Sequence, residues 1–74
     1  MILTVEKEKS PDAEVCICFD NEGLELLIRK LTYLSSHSGH LHLMTPGWAG
    51  NELTEEPQRG SNFEIVNSLR LVRL

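Results

Sequence analysis

The sequence predicts a small α+β fold: a two-layer sandwich in ββαββ order, with one amphipathic helix packed on a mostly antiparallel four-stranded sheet. Two patterns and one physical constraint predict it. Only residues 21–35 carry apolar side chains at helical spacing, whereas four other stretches alternate at the period of a strand. A single helical stripe cannot bury itself, and a four-stranded sheet offers one face to receive it. The chain of 74 residues makes one small domain, 1–74, and a domain of this size buries only about 60% of the surface its unfolded form exposes. Apolar content of 41% with 24% charge lies in the globular range.

Residues 2–8 read as the first strand, with Leu3 and Val5 alternating against Ile2, Thr4 and Glu6. Lys9-Ser10-Pro11-Asp12 ends it, because Pro11 lacks a donor and Ser and Asp favour turns. Residues 14–19 read as the second strand, with Val15, Ile17 and Phe19 on one face and Cys16 and Cys18 on the other. Both faces are largely apolar. The strand is therefore expected inside the sheet, with two covered faces or one covered and one weakly solvated. The short link predicts a hairpin.

The helix follows. Asp20 or Asn21 supplies its N-cap, and Glu22 puts negative charge in its first turn. Leu24, Leu27, Ile28, Leu31 and Leu34 form the stripe expected to face the core, with Leu26 and Lys30 toward a flank. Ser35-Ser36-His37-Ser38-Gly39 ends it, Gly39 being able to take positive φ. Residues 40–45 read as the third strand, with Leu41 and Leu43 facing one way and His40, His42 and Met44 the other. Pro46 closes it. A loop over 47–61 follows, long enough to suggest a function. Residues 63–73 carry the last strand signal, although 63–68 also fit a short helical turn, since Ile65 and Leu69 are four apart.

Composition removes several function classes. No apolar run approaches the ~20 residues that span a bilayer, so no membrane partner is expected. The first residues become charged too soon for a secretory signal. A net charge of −4 does not favour nucleic acid, and it leaves room for a basic protein partner, or merely serves solubility. Cys16 and Cys18 are too close in the chain for an unstrained disulfide, so free thiols and a cytoplasmic location are expected.

Three groups of residues could carry chemistry or recognition. His40 and His42 project in parallel from a strand, as Cys16 and Cys18 do. If their strands were neighbours, two cysteines and two histidines could hold a zinc ion. The spacings differ from the usual metal-site motifs, and the bland reading is that these side chains fill the polar side of a sheet. A thiol redox role for the cysteine pair belongs to the same alternative, against small buried hydrophobes. No nucleophile signature or phosphate-binding glycine loop occurs, so no enzyme and no cofactor are expected. The third group is the loop. Gly47 and Gly50 bracket Trp48, the only tryptophan, and Glu52, Glu55 and Glu56 follow. Trp48 reads either as an interface anchor or as a plug folded over the sheet. Glu52 is placed to cap backbone N–H groups or to accept from Trp48 or a histidine. The acids form an acidic lip for a basic partner, or simply a solvated loop.

The run His40-Leu41-His42-Leu43-Met44-Thr45-Pro46-Gly47-Trp48-Ala49-Gly50-Asn51-Glu52-Leu53 resembles the centre of a family of small bacterial proteins, immunity protein 32, associated with polymorphic toxin systems. Glu22-Gly23-Leu24, the leucine-rich helix and Asn67-Ser68-Leu69-Arg70-Leu71 fit the same pattern. The likeness runs from about Glu14 onward and is most specific at His42, Trp48, Gly50 and Glu52. It implies a non-enzymatic, β-rich module that neutralises a cognate toxin by binding it, with those positions serving structure or interface. A homodimer through the second sheet face or the edge strands is a further reading, since exposed edges are ready to pair.

Overall fold

The computed structural model describes all 74 residues, Met1–Leu74. Its elements run β1 (Leu3–Glu8), β2 (Val15–Phe19), α1 (Asn21–Ser36), β3 (Gly39–Met44), a 3-10 turn (Pro46–Trp48), β4 (Phe63–Ile65) and β5 (Ser68–Arg73). The α+β class and the N-terminal hairpin agree with the sequence reading. The single four-stranded sheet does not. There is a three-stranded sheet in the order β2-β1-β4 and a separate two-stranded sheet of β3 and β5, with every pairing antiparallel.

The difference arises in the last strand. Residues 63–73 are extended, not a helical turn, but they divide at Val66 and Asn67. The Val66 N–H still donates to the Val5 carbonyl of β1 at 2.8 Å, whereas the Asn67 carbonyl accepts from the Thr45 N–H at 3.0 Å. Thr45, fully buried, also donates from its hydroxyl to Asn67 Oδ1 at 2.8 Å. One residue thus belongs to the first sheet and the next to the second. Because a buried backbone must keep its partners, the exchange bends the chain from one sheet into the other.

Burial corrects the second strand as well. β1 is the interior strand: Leu3, Thr4, Val5 and Glu6 are all 0–1% exposed. β2 lies at the edge, and Val15, Ile17 and Phe19 are exposed instead of covered. They share a face with Leu3 and Val5, yet the core rests on β1 and leaves the edge strand uncovered.

The helix is present but rotated from expectation. Its N-cap is Asp20, whose Oδ1 accepts from the Gly23 N–H at 2.9 Å. Gly23, Leu26 and Leu34 are buried and Leu27 is half-buried, while Leu24, Ile28 and Leu31 are exposed. Gly23 sets the rotation. Any side chain there would collide with the Ile2 carbonyl oxygen and press on Phe19, so the glycine side is the one that meets the strands. The core then comprises Leu3, Val5, Leu26, Leu43 and Leu53, flanked by Leu27, Val66, Leu69 and Leu71. It lies where both sheets, the helix and the loop converge. No helix is long and apolar enough to cross a membrane.

Candidate protein-binding surface

The long loop is anchored at four places. The first is the turn after β3. The Thr45 carbonyl accepts from the N–H groups of Trp48 and Gly50, each at 2.9 Å, and Ala49 takes a left-handed φ of 64°. Gly50 passes so close to Met44 that a β-carbon would collide with its backbone. Glu55 braces this turn by accepting from the Gly47 N–H. The second anchor is Leu53, 1% exposed, whose N–H donates to the Met44 carbonyl at 3.2 Å. The third is Thr54, which bonds Leu3 twice, donating its N–H at 2.7 Å and accepting the Leu3 N–H on Oγ1 at 2.9 Å.

The fourth anchor is Glu6, which the sequence reading passed over as the polar position of an alternating strand. Its carboxylate is fully buried. It accepts from the Thr4 hydroxyl at 2.6 Å, from the Gln58 N–H at 3.1 and 3.0 Å, and from the Arg59 N–H at 3.1 Å. Burial by itself would raise its pKa. The bonds from Thr4, Gln58, Arg59 and Cys18 outweigh that and hold it below the usual carboxylate value. The signal available in the sequence was Thr4-x-Glu6, two polar side chains on one face of a strand whose other face carries Leu3 and Val5.

On this fixed loop Trp48 points outward and is 58% exposed. It is not a plug over the sheet, because Leu53 fills that place. Glu52 caps its neighbour, accepting from the Asn51 N–H at 2.8 Å, with no bond to Trp48 or a histidine. Glu52 and Asn51 also stand at the rim of an open cleft of about 510 Å³, between α1 and β3. Leu26 and Leu41 line it with Arg29, Lys30 and Tyr33. Of the three loop acids, Glu52 and Glu55 hold backbone N–H groups, and Glu56 is exposed with no side-chain bond in the chain.

His40 and His42 are exposed on the outer face of β3, opposite Val72 and Arg70, with ring centroids 5.0 Å apart edge to face. His37 stands apart, stacked on Tyr33 at 4.1 Å. Cys16 and Cys18 are free thiols on the other sheet, half-buried on the same face as Thr4 and Glu6. Burial, followed by a hydrogen bond to Glu14, raises the Cys16 thiol. β2 and β3 are not neighbours, so the histidine and cysteine pairs do not meet. No three His, Cys, Asp or Glu side chains gather in metal-binding geometry.

Comparison with known proteins returns no matching family, no matching curated protein and no matching solved structure. The resemblance to immunity protein 32 therefore gains no support from them.

Proposed function

We propose that this chain is a non-enzymatic binding module of the immunity type, acting in the cytoplasm by covering a cognate bacterial toxin. The observation that supports it is Trp48: a large side chain held 58% exposed on a loop tied to the core on both sides. Tryptophan is enriched among the residues that dominate binding energy. A loop already ordered loses little further freedom on association, so more of the contact energy appears as affinity. The −4 charge favours a basic partner and would chiefly speed encounter. The toxin as partner rests on the resemblance of the His40 to Leu53 run alone, with His40, His42, Gly50 and Glu52 as the other members of the surface or its scaffold.

The test is capture from the host's lysate by untagged protein, run beside Trp48→Ala. Capture of a toxin-like protein at one-to-one stoichiometry, lost with Trp48→Ala while the variant melts normally, supports the reading. A partner held equally well by Trp48→Ala removes Trp48 from the interface and overturns it. Stoichiometric metal without a partner would favour the histidine and cysteine pairs instead.

A further inference from the structure

β2 ends its sheet with an unprotected edge. The ladder between β1 and β2 begins and ends on even-numbered residues: the Glu8 N–H donates to the Glu14 carbonyl at 2.9 Å, and the Asp20 N–H to the Ile2 carbonyl at 3.1 Å. In an antiparallel ladder such pairs recur at every second residue. Cys16 and Cys18 therefore turn their backbone groups toward β1, and Val15, Ile17 and Phe19 turn theirs outward. None of those three makes a backbone bond elsewhere in the chain. Free edges are normally guarded by a charge, a proline or a bulge. Val15-Cys16-Ile17-Cys18-Phe19 has none of these, and its three outward-bonding residues expose 57%, 42% and 49% of their surface.

We propose that β2 pairs antiparallel with β2 of a second copy of this chain, about a two-fold axis at Ile17. This is the register in which all three outward-bonding residues find a like partner: Ile17 meets Ile17, and Val15 meets Phe19. It makes a six-stranded sheet in the order β4-β1-β2-β2-β1-β4 and leaves no free edge between the copies. A stable dimer needs about 800 Å² from each partner, roughly a sixth of the 5051 Å² surface. Val15, Ile17 and Phe19 contribute to that area, and the start of the helix adds Leu24 and Ile28, exposed by 40% and 52%. The paired strand backbones add to these side chains. One contact, made twice by the symmetry, opposes the register: Glu14 against Asp20 of the second copy. Asp20 is already committed to the Gly23 N–H and lies 4.0 Å from the Met1 ammonium.

The register places Cys16 directly opposite Cys18 of the second copy, in a pair without hydrogen bonds. Such pairs have Cα atoms about 4.5 Å apart, within the span a disulfide bridges. Cys18 and its own counterpart are diagonal, about 7–8 Å apart, and do not bridge. A two-fold at Cys16 or at Cys18 would instead set like cysteines opposite each other. This surface is separate from Trp48, so the dimer and toxin binding fail independently.

The experiment combines sedimentation with cross-linking. Sedimentation across a dilution series should give twice the 8.4 kDa chain mass, and Ile17→Lys should give the chain mass while keeping the circular dichroism of a folded chain, with a lower melting temperature as dimer stabilisation is lost. Cys16→Ser protein mixed with Cys18→Ser protein is treated with diamide at about pH 9, alkaline because the thiolate is the reacting form. Diamide takes up the two electrons and two protons released as the Sγ–Sγ bond forms. The mixture should cross-link about tenfold more than either variant alone, as the distances require. A monomer at every concentration, a dimer that survives Ile17→Lys, or efficient cross-linking of one variant with itself overturns the proposal. If Ile17→Lys does not fold, the cross-linking arm decides.

Discussion

Glu6 and Gln58 lie 52 positions apart in the chain and are joined inside the fold: both Glu6 carboxylate oxygens accept the Gln58 N–H, at 3.1 and 3.0 Å. With the adjoining Arg59 N–H at 3.1 Å, this makes one buried carboxylate the inner fastening of the loop that carries Trp48. Glu6→Ala should cost about 2–4 kcal/mol, since hydrogen bonds to charged groups are the strong ones and the orphaned donors add their own penalty. Urea unfolding gives that number. Amide exchange should quicken first at Gln58 and Arg59, and unchanged exchange there would show that the loop holds without Glu6.

Acid should expose the same fastening. Glu6 and Asp20 both titrate below their ordinary values of 4.5 and 3.8. For Glu6 the bonds overcome burial; for Asp20 the causes are the Ile2 and Gly23 N–H groups. As pH falls, the unfolded carboxyls take up protons first, so the unfolded state is favoured. Stability is full above the ordinary carboxylate range and is lost as pH drops through the depressed values. Melting temperature against pH should show this limb, and Glu6→Gln should flatten it.

Gly50→Ala should destabilise by about 1–3 kcal/mol, the usual range for forcing atoms into a filled space. Its β-carbon would meet the Met44 backbone and lie 2.6 Å from Met44 Cβ. Opening that turn also moves Trp48, so binding should weaken together with the melt.

Trp48→Ala should leave the chain folded, with stability changed by no more than about 0.5 kcal/mol, as for surface positions generally. Trp48 is the only tryptophan. Its fluorescence should resemble that of free tryptophan and be quenched readily by iodide. A shielded, blue-shifted emission would contradict the 58% exposure.

Added zinc should leave the melting temperature unchanged. A site occupied at a hundred times its Kd would add about 2.7 kcal/mol, an effect that melting curves resolve. The histidine pair on β3 and the cysteine pair on β2 sit in different sheets, and neither pair completes a four-ligand shell. A zinc-dependent rise abolished by His42→Ala would reverse this.

Local signals were legible where one residue type decides the matter. The helix, its cap as one of Asp20 and Asn21, the turn at Pro11, the freedom of Gly39 for the φ of 116° it adopts and the loop between β3 and β4 all followed from spacing and side-chain type. Rotation and partnership were not legible. Leucines and isoleucines cover more than half of the helix circumference, so the stripe could not say which side is buried; Gly23 against the Ile2 carbonyl decides it. Residues 63–73 look like one strand because no proline or glycine marks a break at Val66 and Asn67, and their partners, Val5 and Thr45, are long-range facts. Glu6 reads as a solvated position until Gln58 and Arg59 arrive to surround it. Whether Trp48 stands outside depended on Leu53 taking the inner place, which side-chain type alone does not rank.

The division of that last strand also sets an order of events. β1 and β3 each take a partner from residues 63–73, β4 in one case and β5 in the other. During synthesis, an emerging chain can close the β1–β2 hairpin and wind α1, but both sheets wait for the same short segment. β4 emerges first and β5 a few residues later, so the second sheet is the last to be completed. Pairings so distant in sequence close slowly, and until they close Glu6 lacks the loop that buries it while the bare β2 strand is already on display. The interval between translation of residue 19 and residue 73 is when this chain most needs protection from its neighbours.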